Sequence, residues 1–176
     1  MMASLMSKPR GAQTIPVSFI VNGKAYELEV EPHELLLDVI RDRLGLTGAK
    51  RSCDVEVCGA CTLLLDGRPV SACTLPAFEA RGRQVQTIEG LAENGKLHPL
   101  QQAFIEHGGF QCGFCTPGMI LAAKAMLEEN PDPTEEQIKH FMHGNICRCT
   151  GYKKIIESIL AAAKKMRAPL SAKRKS

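Results

Sequence analysis

The stretch CDVEVCGAC at residues 53–61 holds three of the eight cysteines in this 176-residue chain, and a fourth follows after eleven further residues. Three thiols in one short loop can converge on a small volume, and a more distant hairpin can supply another. Gly59 lets the backbone of the loop approach a bound group closely. The stretch therefore predicts a metal or cluster site. Its candidate ligands are Cys53, Cys58, Cys61 and Cys73.

Alternating and helically spaced apolar residues predict the regular elements around this loop. Residues 17–30 alternate about an Asn-Gly pair at 22–23, which favours a hairpin whose tight turn has positive φ. Residues 35–44 carry apolar side chains three and four apart and predict a helix, and residues 62–72 predict a second hairpin. The order hairpin, helix, cysteine loop, hairpin predicts a β-grasp sheet crossed by one helix.

A second set of cysteines lies in the C-terminal half, where the pattern changes to helices. It has the spacing C-x2-C and then C-x-C, and each pair precedes a predicted helix. The unpaired N–H groups and positive dipole at a helix N-terminus favour anionic thiolates. The members of this second set are Cys112, Cys115, Cys147 and Cys149.

Two helix starts in this half carry specific signals. Thr116 followed by Pro117 predicts a hydroxyl cap with proline at the first helical position, and TEEQ at residues 134–137 predicts a capping box. The helices are predicted from Leu91 onward and over residues 99–107, 117–129, 135–141 and 153–165.

These patterns predict an α+β chain of two small domains, a β-grasp ferredoxin-like domain followed by a helical bundle. The predicted divisions are a flexible leader at 1–14, a ferredoxin-like domain at 15–88, a helical domain at 89–165 and a basic flexible tail at 166–176. The tail accounts for the net charge of +3, and a short basic run at a terminus is more often solvated than a binding surface.

Composition excludes several classes of protein. Apolar residues make up 44% of the chain and charged residues 23%, as in ordinary globular proteins. We expect no membrane span, because no apolar run reaches the length that a bilayer requires. We also expect no nucleic-acid partner, since Trp is absent and only two Tyr are present to stack on bases. The N-terminus lacks an apolar signal core and a twin-arginine pair, so a cytoplasmic location is expected.

Three kinds of site could use these cysteines. The spacing C-x4-C-x2-C with a distant fourth Cys is typical of plant-type 2Fe-2S ferredoxins. Structural zinc is the serious competitor, because zinc ribbons share C-x2-C pairs. Disulfides would require an oxidising compartment, and scattered core thiols would not fall into two sets of four.

Considered together, the two sets resemble the iron–sulfur subunit of the molybdenum hydroxylases, the xanthine oxidase and carbon monoxide dehydrogenase-like family. The matching segments are CDVEVCGACT at 53–62, QCGFCTPGM at 111–119 and GNICRCTGY at 144–152. The resemblance implies a ferredoxin-like domain followed by a four-helix bundle, each holding one 2Fe-2S cluster. It implies an oxidoreductase subunit that transfers electrons and has no catalytic residue of its own.

The resemblance also implies partners and roles. The helical cluster would lie beside the molybdopterin cofactor of a large subunit, with Gln111 and Cys149 contacting the pterin. The other cluster would pass electrons to FAD in a medium subunit or to a cytochrome. Residues 54–57 depart from the glycine-rich loop of many members. A free-standing two-cluster ferredoxin and a zinc protein remain alternatives, and the small subunit does not reveal the substrate or the direction of the reaction.

Overall fold

A five-stranded mixed sheet forms the N-terminal half of the computed structural model, which describes residues 13–173. The strand order is β2-β1-β5-β3-β4, with β1 and β5 parallel and the other neighbours antiparallel. This is the predicted β-grasp arrangement. The strands are β1 (Ile15–Val21), β2 (Lys24–Val30), β3 (Thr62–Leu65), β4 (Arg68–Ser71) and β5 (Gln84–Gln86).

The first hairpin forms as the sequence predicts. Asn22 and Gly23 have φ of 50° and 81°, the positive values that a two-residue turn of this hand requires. Val17, Phe19 and Val21 of β1 are buried, and the residues between them are more exposed. The alternation therefore turns one face of β1 into the core.

The helix predicted over residues 35–44 is wider than a regular α-helix. A short α1 (Leu36–Asp38) continues as a π-helical segment (Val39–Arg43), and the Leu44 N–H donates to the Val39 carbonyl at 3.0 Å. The Arg41 guanidinium donates to the carbonyls of Thr47 and Ala49 just beyond this wide turn. Apolar spacing predicts that this segment packs on the sheet, but it does not distinguish the two kinds of helix.

Four of the five helices predicted for the C-terminal half are present within residues 13–173. They are α2 (Pro99–Glu106), α3 (Thr116–Glu129), α4 (Glu135–Phe141) and α5 (Lys153–Lys173). No helix within residues 13–173 is long and apolar enough to cross a bilayer.

The predicted capping box of α4 is confirmed, whereas the predicted cap of α3 is wrong. Thr134 Oγ1 accepts from the Gln137 N–H at 3.2 Å, and Gln137 Oε1 accepts from the Thr134 N–H at 2.9 Å. For α3 the cap position is Cys115, and Thr116 is already helical. The Thr116 hydroxyl is buried without a hydrogen-bond partner, because the chain enters this helix one residue earlier than the Thr-Pro signal suggests.

The bounds of two other segments also differ from prediction. The helix predicted from Leu91 is absent, and a 3-10 turn (Ile88–Gly90) followed by loop leads to α2 instead. Helix α5 continues past residue 165 to Lys173, so the segment predicted as a flexible tail at 166–176 is helical over most of its length. Lys165 pairs with Glu106 of α2 at 2.5 Å, which ties this part of α5 to the bundle. The leader prediction falls mainly on residues 1–12, outside the described residues.

Helix α3 belongs to both hydrophobic cores. Leu121 and Ala125 pack into the core of the sheet, while Met119 and Met126 pack among the other helices. At its first turn, Gly118 lies so close to the Gly59 carbonyl that a β-carbon at residue 118 would stand 2.3 Å from that oxygen. The two halves are therefore packed against each other along one helix.

We expect Gly118→Ala to lower the free energy of unfolding by about 1–3 kcal/mol, because the new methyl group has to displace backbone rather than a flexible side chain. Urea unfolding followed by circular dichroism measures this. Gly144→Ala is the matched control, since a β-carbon there would meet nothing within 4 Å. Equal stability of the two variants would contradict the close packing at Gly118.

His98 caps helix α2 with its imidazole. Its Nδ1 accepts from the Leu100 N–H at 3.2 Å, and Gln101 Oε1 accepts from the His98 N–H at 2.9 Å. Burial lowers the pKa of His98, and the positive charge of Lys124 lowers it further. Both effects favour the neutral imidazole, which alone can accept this hydrogen bond.

This cap predicts a loss of stability in mild acid. The pKa of His98 is lower in the folded chain than in the unfolded one, so its contribution is complete above about pH 6.5 and is lost as the pH falls through the folded value. His98→Asn keeps an acceptor at the cap and removes the titration. The thermal midpoint of the wild type should fall more steeply between neutral and mildly acidic pH than that of the variant. Parallel curves would refute the assignment.

Candidate metal centres

Three cysteines of the first set lie on the loop that leads into β3, and the fourth, Cys73, follows β4. Asp54 and Glu56 have φ of 55° and 60°, and this left-handed backbone turns amide N–H groups towards the sulfur of Cys53. The Val57 N–H donates to Cys53 Sγ at 3.4 Å. Hydrogen bonds from the N–H groups of Val55, Val57 and Cys58 lower the pKa of Cys53 to about 6. The loop is therefore built to hold a thiolate.

The four sulfurs of this set fall into an inner and an outer pair. Cys61 and Cys73 are buried and their thiols contact each other, whereas Cys53 and Cys58 contact each other and are half-buried. Burial raises the pKa of the Cys61 thiol to about 12, because its surroundings disfavour a thiolate that has no positive charge nearby. A bound cation would supply the missing compensation.

The second set is also arranged in two pairs. Cys112 Sγ lies 3.6 Å from Cys149 Sγ, and both residues are exposed. Cys115 contacts the buried Cys147, and burial raises the pKa of Cys115 to about 12. The pairs join the loop before α3 to the loop before α5, as the sequence predicts.

This pairing discriminates between kinds of metal site. A single tetrahedral zinc ion takes its four ligands around one metal. A dinuclear iron cluster has a different need, since each of its two irons takes two protein ligands. Two thiolate pairs in each set fit a 2Fe-2S cluster better than one tetrahedral zinc ion.

Thr150 and Tyr152 surround Cys147, and neither was assigned a role from the sequence. The Thr150 hydroxyl lies 3.1 Å from Cys147 Sγ, and the Tyr152 hydroxyl accepts from the Cys147 N–H at 3.0 Å. Thr150 Oγ1 also accepts from the Tyr152 N–H at 3.2 Å, which leaves its own proton for the sulfur. Burial raises the pKa of Cys147, but hydrogen bonds from Thr150 and the backbone outweigh it, and the pKa lies below its usual value. Both residues lie in the motif GNICRCTGY, and in the sequence their hydroxyl groups are the only sign of a role.

Gln111 and Cys149, each of which the family resemblance implies as a pterin contact, are in contact with each other. Gln111 Nε2 donates to the Cys149 carbonyl at 3.0 Å, and both residues are exposed. Phe110 and Phe114 lie beside them in the chain and are 40% and 44% exposed. This end of the bundle therefore presents the outer cysteine pair, one amide and two aromatic rings on the surface.

The two cysteine sets meet through hydrogen bonds that sequence reasoning missed. The Ile146 N–H donates to the Cys58 carbonyl at 2.8 Å. The buried Asn145 side chain donates to the Gly59 carbonyl at 3.1 Å and to Thr62 Oγ1 at 3.3 Å. An asparagine directly before C-x-C gives no sign of its distant partners.

Known proteins match both halves of the chain. Residues 19–92 match the family described as "2Fe-2S iron-sulfur cluster binding domain", and residues 87–160 match a second family described as "2Fe-2S binding domain". The nicotinate dehydrogenase small FeS subunit of Eubacterium barkeri is 48% identical over 151 residues, which cover 86% of this chain and 96% of the relative. The chain belongs to the small iron–sulfur subunits of the molybdenum hydroxylases.

Solved structures of this family share the fold. Quinoline 2-oxidoreductase from Pseudomonas putida 86 has a chain that is 44% identical and superimposes with a TM-score of 0.85, over 88% of this chain and 97% of that one. Aldehyde oxidoreductase from Desulfovibrio gigas is 44% identical with a TM-score of 0.84, but the match spans only 17% of that longer chain and 88% of this one. The fold, the two 2Fe-2S domains and the electron-transfer role of an oxidoreductase subunit are those of the family.

The Thr150 hydroxyl should raise the reduction potential of the cluster in the helical domain, because a donor to sulfur stabilises the more negative, reduced state. Thr150→Val should lower that potential by roughly 40 mV, the equivalent of about 1 kcal/mol of lost differential hydrogen bonding. A potentiometric titration followed by EPR measures it. Thr47→Val, at an exposed threonine outside the cysteine sets, is the control. An unchanged potential in Thr150→Val would exclude a hydrogen bond to the ligand sulfur.

Proposed function

We propose that the eight cysteines are the ligands of two 2Fe-2S clusters, four in each domain. The observation that carries this proposal is the pairing of the sulfurs within each set. Cys53 and Cys58 would bind one iron of the first cluster, and Cys61 and Cys73 the other. In the second cluster the pairs would be Cys112 with Cys149 and Cys115 with Cys147.

A bound 2Fe-2S cluster supplies a centre that accepts and releases one electron at a time. The chain's own residues hold and tune that centre. Backbone N–H groups of residues 55–58 stabilise the thiolate of Cys53, and the Thr150 hydroxyl does so for Cys147. Burial of the inner pairs keeps water from the sulfurs.

We propose that the exposed end of the helical domain docks on a large molybdenum-cofactor subunit. Gln111 and Cys149 would contact the pterin there. Support comes from their mutual hydrogen bond, which holds the Gln111 amide over the outer cysteine pair. Phe110 and Phe114 provide an apolar rim of the kind that is buried when subunits associate. Homologues are likewise small subunits of multi-subunit complexes.

The cluster of the ferredoxin-like domain would deliver electrons to the acceptor, a flavin subunit or a cytochrome. Its loop exposes Val55 and Val57 beside the outer pair of the first set, so this surface is accessible to a partner. A cytoplasmic location suits the eight free thiols, since a reducing compartment keeps them available for cluster assembly.

The composition of the purified chain tests the ligand assignment. We expect about four irons and four sulfides per chain, no zinc, and two distinct 2Fe-2S EPR signals after reduction with dithionite. Two zinc ions and no sulfide would overturn the proposal.

Two cysteine variants then assign the clusters to their domains. Cys112→Ala should remove the signal of the helical domain, halve the iron content and block the passage of electrons from molybdenum. Cys53→Ala should halve the iron content by removing the other signal, while the first transfer from molybdenum persists. Each variant is the other's control, and a full iron complement in either would contradict the assignment of that cysteine.

A further inference from the structure

A backbone hydrogen bond joins the two proposed ligand sets. Its acceptor is the carbonyl of Cys58, a member of the first set, and its donor is the N–H of Ile146, at 2.8 Å. Ile146 directly precedes Cys147 of the second set. A path from one set to the other therefore runs through covalent bonds and this one contact.

Asn145 holds that contact in place from one residue away. Its side-chain amide is buried, with the residue only 7% exposed. It donates across the domain boundary to the Gly59 carbonyl at 3.1 Å and to Thr62 Oγ1 at 3.3 Å. The Thr62 hydroxyl donates in turn to the same Gly59 carbonyl at 2.7 Å.

The backbones of the two domains are tightly packed around this network. A β-carbon at Gly59 would lie 2.4 Å from the Gly144 carbonyl oxygen, and one at Gly118 would lie 2.3 Å from the Gly59 carbonyl oxygen. The Gly59 carbonyl between the domains also accepts from Thr62 of its own loop, so the Asn145 amide is the donor that the helical domain contributes to it. Removal of the Asn145 side chain would leave a void and weaken the contact between the two loops.

We propose that Asn145 is a positioning residue for electron transfer between the two clusters. It holds the loop of residues 58–62 against residues 144–147, so that the Ile146 to Cys58 hydrogen bond forms and fixes the separation of the ligand sets. This inference rests on the proposed cluster ligands. Its physical basis is that electronic coupling falls steeply with distance and is stronger through bonded contacts than across a gap.

Asn145 does not act on a cluster directly. Its hydrogen bonds go to Gly59 and Thr62 rather than to a cysteine sulfur. A change at this residue should therefore leave the content and the individual spectrum of each cluster intact and alter only properties that depend on both clusters together. This pattern of effects distinguishes a positioning residue from a cluster ligand and from a residue that affects only stability.

The test uses the full chain carrying both clusters, in the wild type and in Asn145→Ala. In the fully reduced protein each cluster has one unpaired spin, and their mutual interaction splits the EPR lines. We expect the variant to retain its iron, its sulfide and both sets of g-values, while the splitting shrinks. Freeze-quench EPR after partial reduction should show a severalfold slower equilibration of the electron between the clusters.

Two controls separate positioning from mere loss of stability. Ile138→Val removes a methylene group from the core of the helical domain, where Ile138 is fully buried, and should lower the thermal midpoint without changing the splitting. Asn130→Ala removes a half-buried amide at the C-terminal end of α3, the opposite end from Cys115, and should leave the splitting unchanged. Thr62→Val, which removes the hydroxyl that accepts from Asn145, should reduce the splitting in the same direction as Asn145→Ala.

The outcomes are distinct. Unchanged splitting and transfer rate in Asn145→Ala, with both clusters present, would overturn the inference and leave the proposed function standing. If Asn145→Ala does not assemble both clusters, Thr62→Val decides, and unchanged splitting there would overturn the inference. A wild-type chain without two 2Fe-2S signals would instead refute the ligand assignment on which the inference rests.

Discussion

The packing of the two halves of this protein against each other depends on the surroundings of the Gly59 carbonyl. It belongs to the cysteine loop of the sheet domain, yet it accepts a hydrogen bond from Asn145 of the helical domain and lies against the first turn of α3. A buried carbonyl has to be satisfied, and a glycine at residue 118 is required for the helix to come so close. The relative position of the two cysteine sets follows from these short-range requirements.

Each cysteine set combines a more sheltered pair with a more accessible pair. The more sheltered pairs are Cys61 with Cys73 and Cys115 with Cys147, and the outermost cysteines are Cys112 and Cys149. A cluster held by such a set, as proposed above, would have different surroundings at its two irons, with more water on the accessible side. Asymmetry of this kind favours localisation of the added charge, since hydrogen bonding and solvent exposure both shift the potential of an iron–sulfur centre.

Local signals in the sequence account for most of the fold. The Asn-Gly turn, the alternation in β1 and the capping box of α4 are each encoded within a few residues, and all three form as predicted. The π-helical turn, the missing cap at Thr116 and the extension of α5 to Lys173 are not local in this sense. Neither the apolar spacing nor the capping residues of these segments indicate them.

The functional site, like the fold, is predicted from the sequence only in part. Cysteine spacing predicts the two ligand sets, because thiolates are rare and their separation along the chain is diagnostic. The roles of Asn145, Thr150 and Tyr152 could not be predicted in this way, since common polar residues acquire a function only from what they meet in space. Resemblance to known motifs predicts that Gln111 and Cys149 each contact the pterin, whereas their mutual hydrogen bond is visible only in the structure.

Helix α3 has a consequence for any attempt to dissect the chain. It supplies Leu121 and Ala125 to the core of the sheet domain although it lies well beyond residue 88 in the sequence. A fragment ending at residue 88 would present to solvent the apolar surface of β3 that α3 covers, and such a surface at the flank of a sheet invites self-association. The ferredoxin-like half therefore depends on α3 to cover its apolar surface. Exchange of the helical half for another domain would require a helix that covers the same surface.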